Sequence, residues 1–207
     1  VNSYERELRF DISQFLAQRV QERGTALWLD VCCGEGRALV EAGTQFAETD
    51  WGASVEIIGV DLVGMFVPDK VPGVCLVAVD VMAFMLDRPA DLITCVHGLH
   101  YLGDKLGFLE RAMGMLSTGG IFRGHWDTQN IRTDIPGRVI WPSAVRHARQ
   151  KGAALAFANH LMQIEGTDAP LDFGVQYQGA TVSETPNYTG ITVIDSWYRA
   201  AERKARG

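Results

Sequence analysis

Three kinds of side chain in this sequence are spaced so that they can act on one ligand: glycines in a single turn, acids that end apolar runs, and histidines beside them. Gly34 and Gly36 follow the run Trp28-Leu29-Asp30-Val31-Cys32-Cys33 and open a helix-like segment at Arg37-Ala38-Leu39. Glycine takes φ > 0 and has no Cβ, so a ligand can lie directly on the main chain where the helix begins. A second apolar run, Val55 to Val60, ends in Asp61, 25 residues beyond Gly36. An acid at that distance can chelate a ribose diol. A third run, Val74 to Val79, ends in Asp80-Val81, a carboxylate beside an apolar residue, suited to an adenine amino group and its ring. The fourth, Asp91 to Val96, runs into His97-Gly98-Leu99-His100.

The same residues exclude familiar phosphate sites. The dinucleotide fingerprint G-x-G-x-x-G wants a third glycine where this chain has Leu39. No Lys-Ser or Lys-Thr follows the glycines, so a Walker-type loop fails as well. Glu35 lies inside the turn, where a carboxylate repels pyrophosphate and tolerates a neutral or cationic ligand.

Four motifs in this order and spacing resemble the class I S-adenosylmethionine-dependent methyltransferases, over roughly residues 8 to 127. The resemblance implies an α/β, Rossmann-like fold: a seven-stranded, mostly parallel sheet with helices on both faces and a C-terminal β-hairpin. It implies S-adenosyl-L-methionine as cofactor and S-adenosyl-L-homocysteine as product. Asp30, Cys32, Gly34 and Gly36 would line the methionine end, Asp61 with Leu62 the ribose, and Asp80 with Val81 the adenine. Cys95, Val96 and His97 would flank the methyl group. A sulfonium cation without phosphate agrees in sign with Asp30, Asp61 and Asp80. The chain departs from the commonest pattern at Cys32, where a glycine is usual, and at Glu35, where a small hydroxyl residue is common.

Methyl transfer asks mainly for alignment, because the cofactor's methyl group is already activated. A hydroxyl acceptor must also lose a proton, which histidine can take near neutral pH. His97, at the end of the fourth run, is the first candidate for base or acceptor-orienting residue, and His125 paired with Asp127 the second. His100 is read as a loop brace, and His147 and His160 as surface or structural residues. No residue is assigned to a metal: Trp126-Asp127-Thr128-Gln129-Asn130 lacks the Asp-Asn step of a catechol-type site. Cys95-Val96-His97-Gly98 is unlike the Asn-Pro-Pro-Tyr segment of base-methylating relatives. The expectation is a small-molecule methyltransferase of biosynthetic, specialised metabolism, with O-methylation preferred over N-methylation. A peptide or carrier-bound acceptor, and an inactive cofactor-binding subunit of a larger assembly, stay open as alternatives.

The elements that must position these groups follow from periodicity. Leu8, Ile12, Phe15, Leu16 and Val20 form one helical stripe that Gly24 stops, with Tyr4 near enough in sequence to reach the cofactor. Helices over 36–47 and 104–116 supply crossovers between parallel strands. A fifth strand, Ile121 to Trp126, follows the turn Ser117-Thr118-Gly119-Gly120. Beyond Asp127 the pattern predicts a helix over 141–151, then the last two strands of the sheet at 153–158 and 171–178. The turn chemistry of Pro186-Asn187-Tyr188-Thr189-Gly190 leads to a strand at Ile191-Thr192-Val193-Ile194 that completes a hairpin. Tyr101, Trp126 and Tyr188 are candidate acceptor-side aromatics, Trp126 more readily as core.

The chain has 207 residues, 47% hydrophobic and 21% charged, enough for one domain with a large core. The division expected is a single methyltransferase domain over 1–207: a helical cover 1–24, a cofactor-binding core 25–127, and C-terminal strands with acceptor-side loops 128–207. A net charge of −6 argues against a nucleic-acid surface. The cluster Arg199, Arg203, Lys204, Arg206 reads as a solvated helix end. Cys32, Cys33, Cys75 and Cys95 lie in or beside apolar strands, as reduced interior residues do. With no N-terminal apolar core and no long apolar run, the expectation is a cytoplasmic protein without signal peptide or membrane span. Its partner is a small-molecule acceptor, with a homodimer allowed.

Overall fold

The computed structural model describes residues 3–201. Its main sheet has seven strands in the order β3-β2-β1-β4-β5-β8-β7. β1 (Ala26–Val31), β2 (Val55–Asp61), β3 (Val74–Ala78), β4 (Ala90–Cys95) and β5 (Leu116–His125) run parallel. β8 (Leu161–Glu165) is antiparallel both to β5 and to β7 (Ala154–Ala158). The expected Rossmann-like, mostly parallel seven-stranded sheet is therefore present.

Every residue of the central strands β1 and β4 is buried, as unbroken apolar runs require when helices cover both sheet faces. Ala26 and Trp28 pack with Ile12 and Leu16 of α2 (Ile12–Arg23) and with Leu39, Ala42 and Phe46 of α3 (Arg37–Phe46). Leu27, Leu29 and Val31 join the opposite core, with Leu106, Phe108 and Leu109 of α4 (Lys105–Gly114) and Ala144 of α5 (Trp141–Gln150). Side chains alternate across a strand, so one strand feeds two cores.

The N-terminal stripe is two helices, not one. α1 (Ser3–Leu8) ends where Arg9 takes φ 49°, and Asp11 then caps α2 by accepting from the Gln14 N–H. An Asp N-cap restarts the helix after the break. Gly24 does end α2, at φ 82°, its N–H donated to the Val20 carbonyl. β5 also begins earlier than expected, at Leu116, because Ser117 to Gly120 stay within the strand through an irregularity at which Gly119 takes φ 72°, instead of forming a free turn.

The C-terminal half departs further. The partner strand of β7 is Leu161–Glu165, joined to it by a tight turn in which Asn159 and His160 both take positive φ, 51° and 58°. Two-residue hairpins demand that conformation, and the usual Asn-Gly signal is replaced here by Asn-His. With that slot filled, the 171–178 segment does not enter the main sheet. It contributes to β9 (Val175–Val182), which pairs with β10 (Ile194–Ala200) in a separate three-stranded sheet with β6 (Ile131–Arg132). The hairpin is present, but its second strand starts at Ile194 instead of ending there.

Arg199 lies on this strand, bonded to Asp134, rather than at a helix end. The other basic residues of the cluster fall outside the described residues. The small sheet is tied to α4 by Tyr198, whose hydroxyl accepts from the Leu106 N–H and donates to Asp104. Buried Lys105 donates to the Leu102 and Ile194 carbonyls and to Ser196. Cys75 is exposed, contrary to the interior expectation, because β3 is the sheet's edge strand. No described helix is long and apolar enough to cross a membrane.

Candidate functional site

Five parallel strands end at one edge of the sheet, and the strand order reverses between β1 and β4. Ligands of open α/β sheets bind in the crevice such a reversal opens beyond the strand ends. The loop after β1 and the loop after β4 meet there. A Cβ added to Gly98 would stand 2.2 Å from the Cys32 Cβ, so only glycine lets the two loops touch. Cys32 and His97 both hold positive φ, 58° and 56°. Left-handed backbone at a non-glycine residue stores strain and clusters at functional sites.

Gly34 and Gly36 take φ 59° and 76°, and Gly36 occupies the N-cap of α3 with no side chain closing the helix end. Asp61 at the tip of β2 holds this turn, one carboxylate oxygen accepting from the Gly34 N–H at 3.0 Å and the other from the Val63 N–H. Arg37, the cation beside the turn, is taken up by Glu35. Leu62 is 72% exposed next to Asp61. Asp80 is exposed after β3, with one oxygen accepting from the Met82 N–H, whereas Val81 is buried in the core. Cys95 is buried and Val96 half-buried at the end of β4.

Asp30 lies under the turn with no exposed surface. Its two oxygens accept from the Tyr4 hydroxyl, at 3.0 Å, and from the Thr94 hydroxyl, which itself accepts from the Trp28 indole N–H. Burial pushes the Asp30 carboxyl up to about 7, against the hydrogen bonds from Thr94 and Tyr4 that favour its charge. Tyr4 is thus engaged with Asp30 and edge-on to Trp28, from a helix that closes this side of the crevice.

The histidines form the other wall. His97 and His125 stack with ring centroids 3.9 Å apart, and Glu7 of α1 reaches both, at 3.4 Å from the Nε2 of His97 and 3.9 Å from that of His125. His100 stands edge-on to Tyr188, and Tyr188 stacks on His160 at 4.0 Å. Burial is the first cause that lowers both His100 and His125 to about 4, so both are neutral at pH 7. The expected His125–Asp127 pair does not form. Asp127 accepts from the Gln129 N–H, and its charge acts on His100 instead.

Sequence reasoning missed Glu7 and His160. Glu7 carries no signal, since a single acid on a short helix is ordinary; His160 is delivered by the Asn-His hairpin turn, locked by the Trp126 N–H to His160 carbonyl bond. His147 stays apart, paired with Asp172. Tyr101 and Tyr188 are exposed near the histidines, while Trp126 is core, packed on Trp141. A separate concavity of about 900 Å³ over the small sheet is lined by Arg132, Arg138, Asp195 and Trp197, and it contains none of the acids or histidines at the strand ends.

No protein-family model matches the sequence, and no curated protein matches it. Among solved structures, the chain is similar to the N-methyltransferase NodS from Bradyrhizobium japonicum WM9 in complex with S-adenosylhomocysteine. That likeness covers 81% of this chain and 89% of NodS, at 14% identity and a TM-score of 0.46. It is similar to the plantazolicin methyltransferase BpumL over 53% of this chain and 43% of that one, at 16% identity and TM-score 0.42. Coclaurine N-methyltransferase is similar over 54% of this chain and 34% of its own length, at 12% identity and TM-score 0.42. The chain thus spans less than half the length of the last two proteins.

Proposed function

We propose that this chain is an S-adenosylmethionine-dependent methyltransferase that acts on a small-molecule acceptor, a hydroxyl in preference to an amine. The observation that carries this reading is the acidic, glycine-backed crevice at the strand-order reversal. Asp30 and Asp61 bracket the Gly34–Gly36 turn, and its neighbouring cation is neutralised by Glu35. Such a crevice suits a ligand with ammonium and sulfonium charges and disfavours a pyrophosphate. The turn has room for it, because nothing lies within 4 Å of where a Gly34 Cβ would be.

When bound, S-adenosylmethionine supplies a methyl group already activated on sulfur. Cys32, Gly34 and Gly36 hold the methionine portion, while Asp30, wholly buried beneath the turn and bonded to Tyr4, acts on it through its charge alone. Asp61 and Leu62 take the ribose, and Asp80 with the backbone at Val81 the adenine. Val96 flanks the methyl group, with Cys95 wholly buried in the core behind it. His97 accepts the proton of the acceptor hydroxyl or orients it, held by Glu7 at 3.4 Å. His125, His100, His160 and Tyr188 wall the acceptor side, and Asp127 acts through His100. Residues 1–24 then serve as cover, 25–127 as cofactor core, and 128–207 as the acceptor-side part of a single domain.

Isothermal titration of the purified chain with S-adenosylmethionine and S-adenosylhomocysteine, beside NAD, tests the cofactor. Binding of the first two alone is expected, followed by mass gain of one methyl group on acceptors of a hydroxyl and amine panel. Failure of both sulfur compounds to bind refutes the assignment.

A further inference from the structure

We propose that Glu7, His97 and His125 form a binding site for a single divalent transition-metal ion of the zinc type, at the acceptor end of the crevice. One carboxylate oxygen and two imidazole nitrogens, from three separate segments, all lie within 4.8 Å of one another. Two imidazoles and a carboxylate are a donor set that suits zinc and its neighbours, and three protein ligands leave a fourth position for an outside oxygen.

The spacing is close to what such an ion needs. With metal–ligand bonds near 2.0–2.1 Å, the ligand–ligand edge of a tetrahedron is about 3.4 Å. Glu7 Oε2 stands 3.4 Å from His97 Nε2 and 3.9 Å from His125 Nε2. The two rings are parallel within 11°, so their lone pairs run side by side, and one ring must turn for both to meet at one point. His97 is the ring that can turn: its side chain is 39% exposed, whereas that of His125 is only 8% exposed. Glu7, on an exposed turn of α1, has the freedom to close the remaining half ångström.

A second observation points to a ligand here. His125 is nine-tenths buried, yet its Nδ1 has no partner and its Nε2 lies beyond hydrogen-bond reach of Glu7. A buried imidazole that bonds at neither nitrogen is costly, and a metal would bond it at Nε2, while Nδ1 stays without a partner. The Nδ1 of His97 is also buried without a partner. Ligating histidines ordinarily anchor that second nitrogen, so affinity here should lie about 10–100-fold below that of a fully braced site. The open fourth position faces the acceptor wall, where a bound cation would draw a hydroxyl oxygen to itself and ease loss of its proton. In that state the His97 lone pair is occupied, and the cation takes over the part otherwise given to His97.

Metal-stripped protein is titrated with Zn²⁺ by calorimetry and with Co²⁺ by visible absorption. The expected result is one ion per chain, with the intense d–d bands of low-coordinate cobalt. Affinity should drop at least tenfold in both Glu7→Gln and His125→Asn and stay unchanged in His147→Ala, which removes a surface histidine–acid pair. S-adenosylhomocysteine binding by the same variants shows that they are folded and is independent of the metal. Its loss in the metal-free wild type would count against the cofactor assignment and not against this site. No saturable binding, or stoichiometry and affinity untouched by Glu7→Gln and His125→Asn, overturns the proposal and leaves a carboxylate–imidazole cluster without metal. Should a variant fail to fold, the cobalt spectrum of the wild type still decides, since octahedral, weakly absorbing Co²⁺ signals a hydrated surface ion.

Discussion

Asp30→Asn should make the protein more stable above neutral pH while weakening its hold on a cationic ligand. Asp30 is wholly buried, and its carboxyl lies at about 7 instead of 3.8. The sign follows from which state binds the proton. Between those two values the folded chain keeps it and the unfolded chain has lost it, so stability falls as pH rises through this window. The slope is about 1.4 kcal/mol per pH unit where the difference is one full proton. The rise from 3.8 to about 7 thus amounts to about 4 kcal/mol by pH 8. For a chain of this length about 1 kcal/mol moves the melting temperature by roughly 2–4 °C. Asparagine has nearly the same shape and keeps the network: its oxygen accepts from one hydroxyl and its amide donates to the other, at Tyr4 and Thr94. Thermal melts of wild type and variant should diverge from pH 4 up to about pH 7 and then stay apart, the variant melting higher by roughly 8–16 °C at pH 8. Parallel curves would refute the placement of a protonated acid beneath the turn.

The same proton links stability to binding. A ligand cation beside Asp30 favours the carboxylate, so binding between pH 5 and 7 should release a fraction of a proton. Calorimetry of S-adenosylmethionine in two buffers of different ionisation enthalpy reads that release directly. Equal heats in both buffers, or a release that persists in Asp30→Asn, would place the ligand charge elsewhere.

Other substitutions probe the remaining walls. Asp61→Ala should weaken S-adenosylhomocysteine binding by about 1.5–3 kcal/mol through loss of charge-assisted hydrogen bonds, and unchanged affinity in calorimetry sinks the ribose assignment. His97→Ala should lower turnover with cofactor affinity kept, loss confined to acceptor affinity marking it as an orienting residue and unaltered turnover removing it from the reaction. Gly98→Ala should cost about 1–3 kcal/mol of stability from overpacking, since its new Cβ would meet the Cys32 Cβ at 2.2 Å. Adding Cys32→Gly should restore much of that in denaturant melts, because it removes the opposing Cβ and relieves a positive φ.

What could be read in advance, and what could not, divides along the range of the forces involved. The turn at Gly34 and Gly36 and the strands that end in Asp61 and Asp80 are local events, written within a few residues by glycine, apolar runs and acids. Each strand is in the sheet where its run predicts it. The alternation of strand and helix then leaves few ways to order them, so the crevice edge follows almost from connectivity. Past Asp127 the deciding choice is which strand pairs with β5, and that rests on the Asn-His turn, whose two positive φ values suit these residue types but lack the glycine that marks such a turn in a sequence. The histidine wall depends on that choice. His125 and His97 are local to their strand ends, but His160 reaches them only because β8 returns antiparallel beside β5. Glu7 reaches them only because the chain breaks at Arg9 and lays α1 across the strand ends. A continuous helix from Leu8 to Val20 would carry Glu7 along its own axis instead, so the break at Arg9 is itself part of the site. Asp11→Ala removes the cap that restarts α2 there and costs about 1 kcal/mol. If α1 is positioned by that break, the loss should also appear as weaker zinc binding, with the Asp61 side of the crevice unaffected.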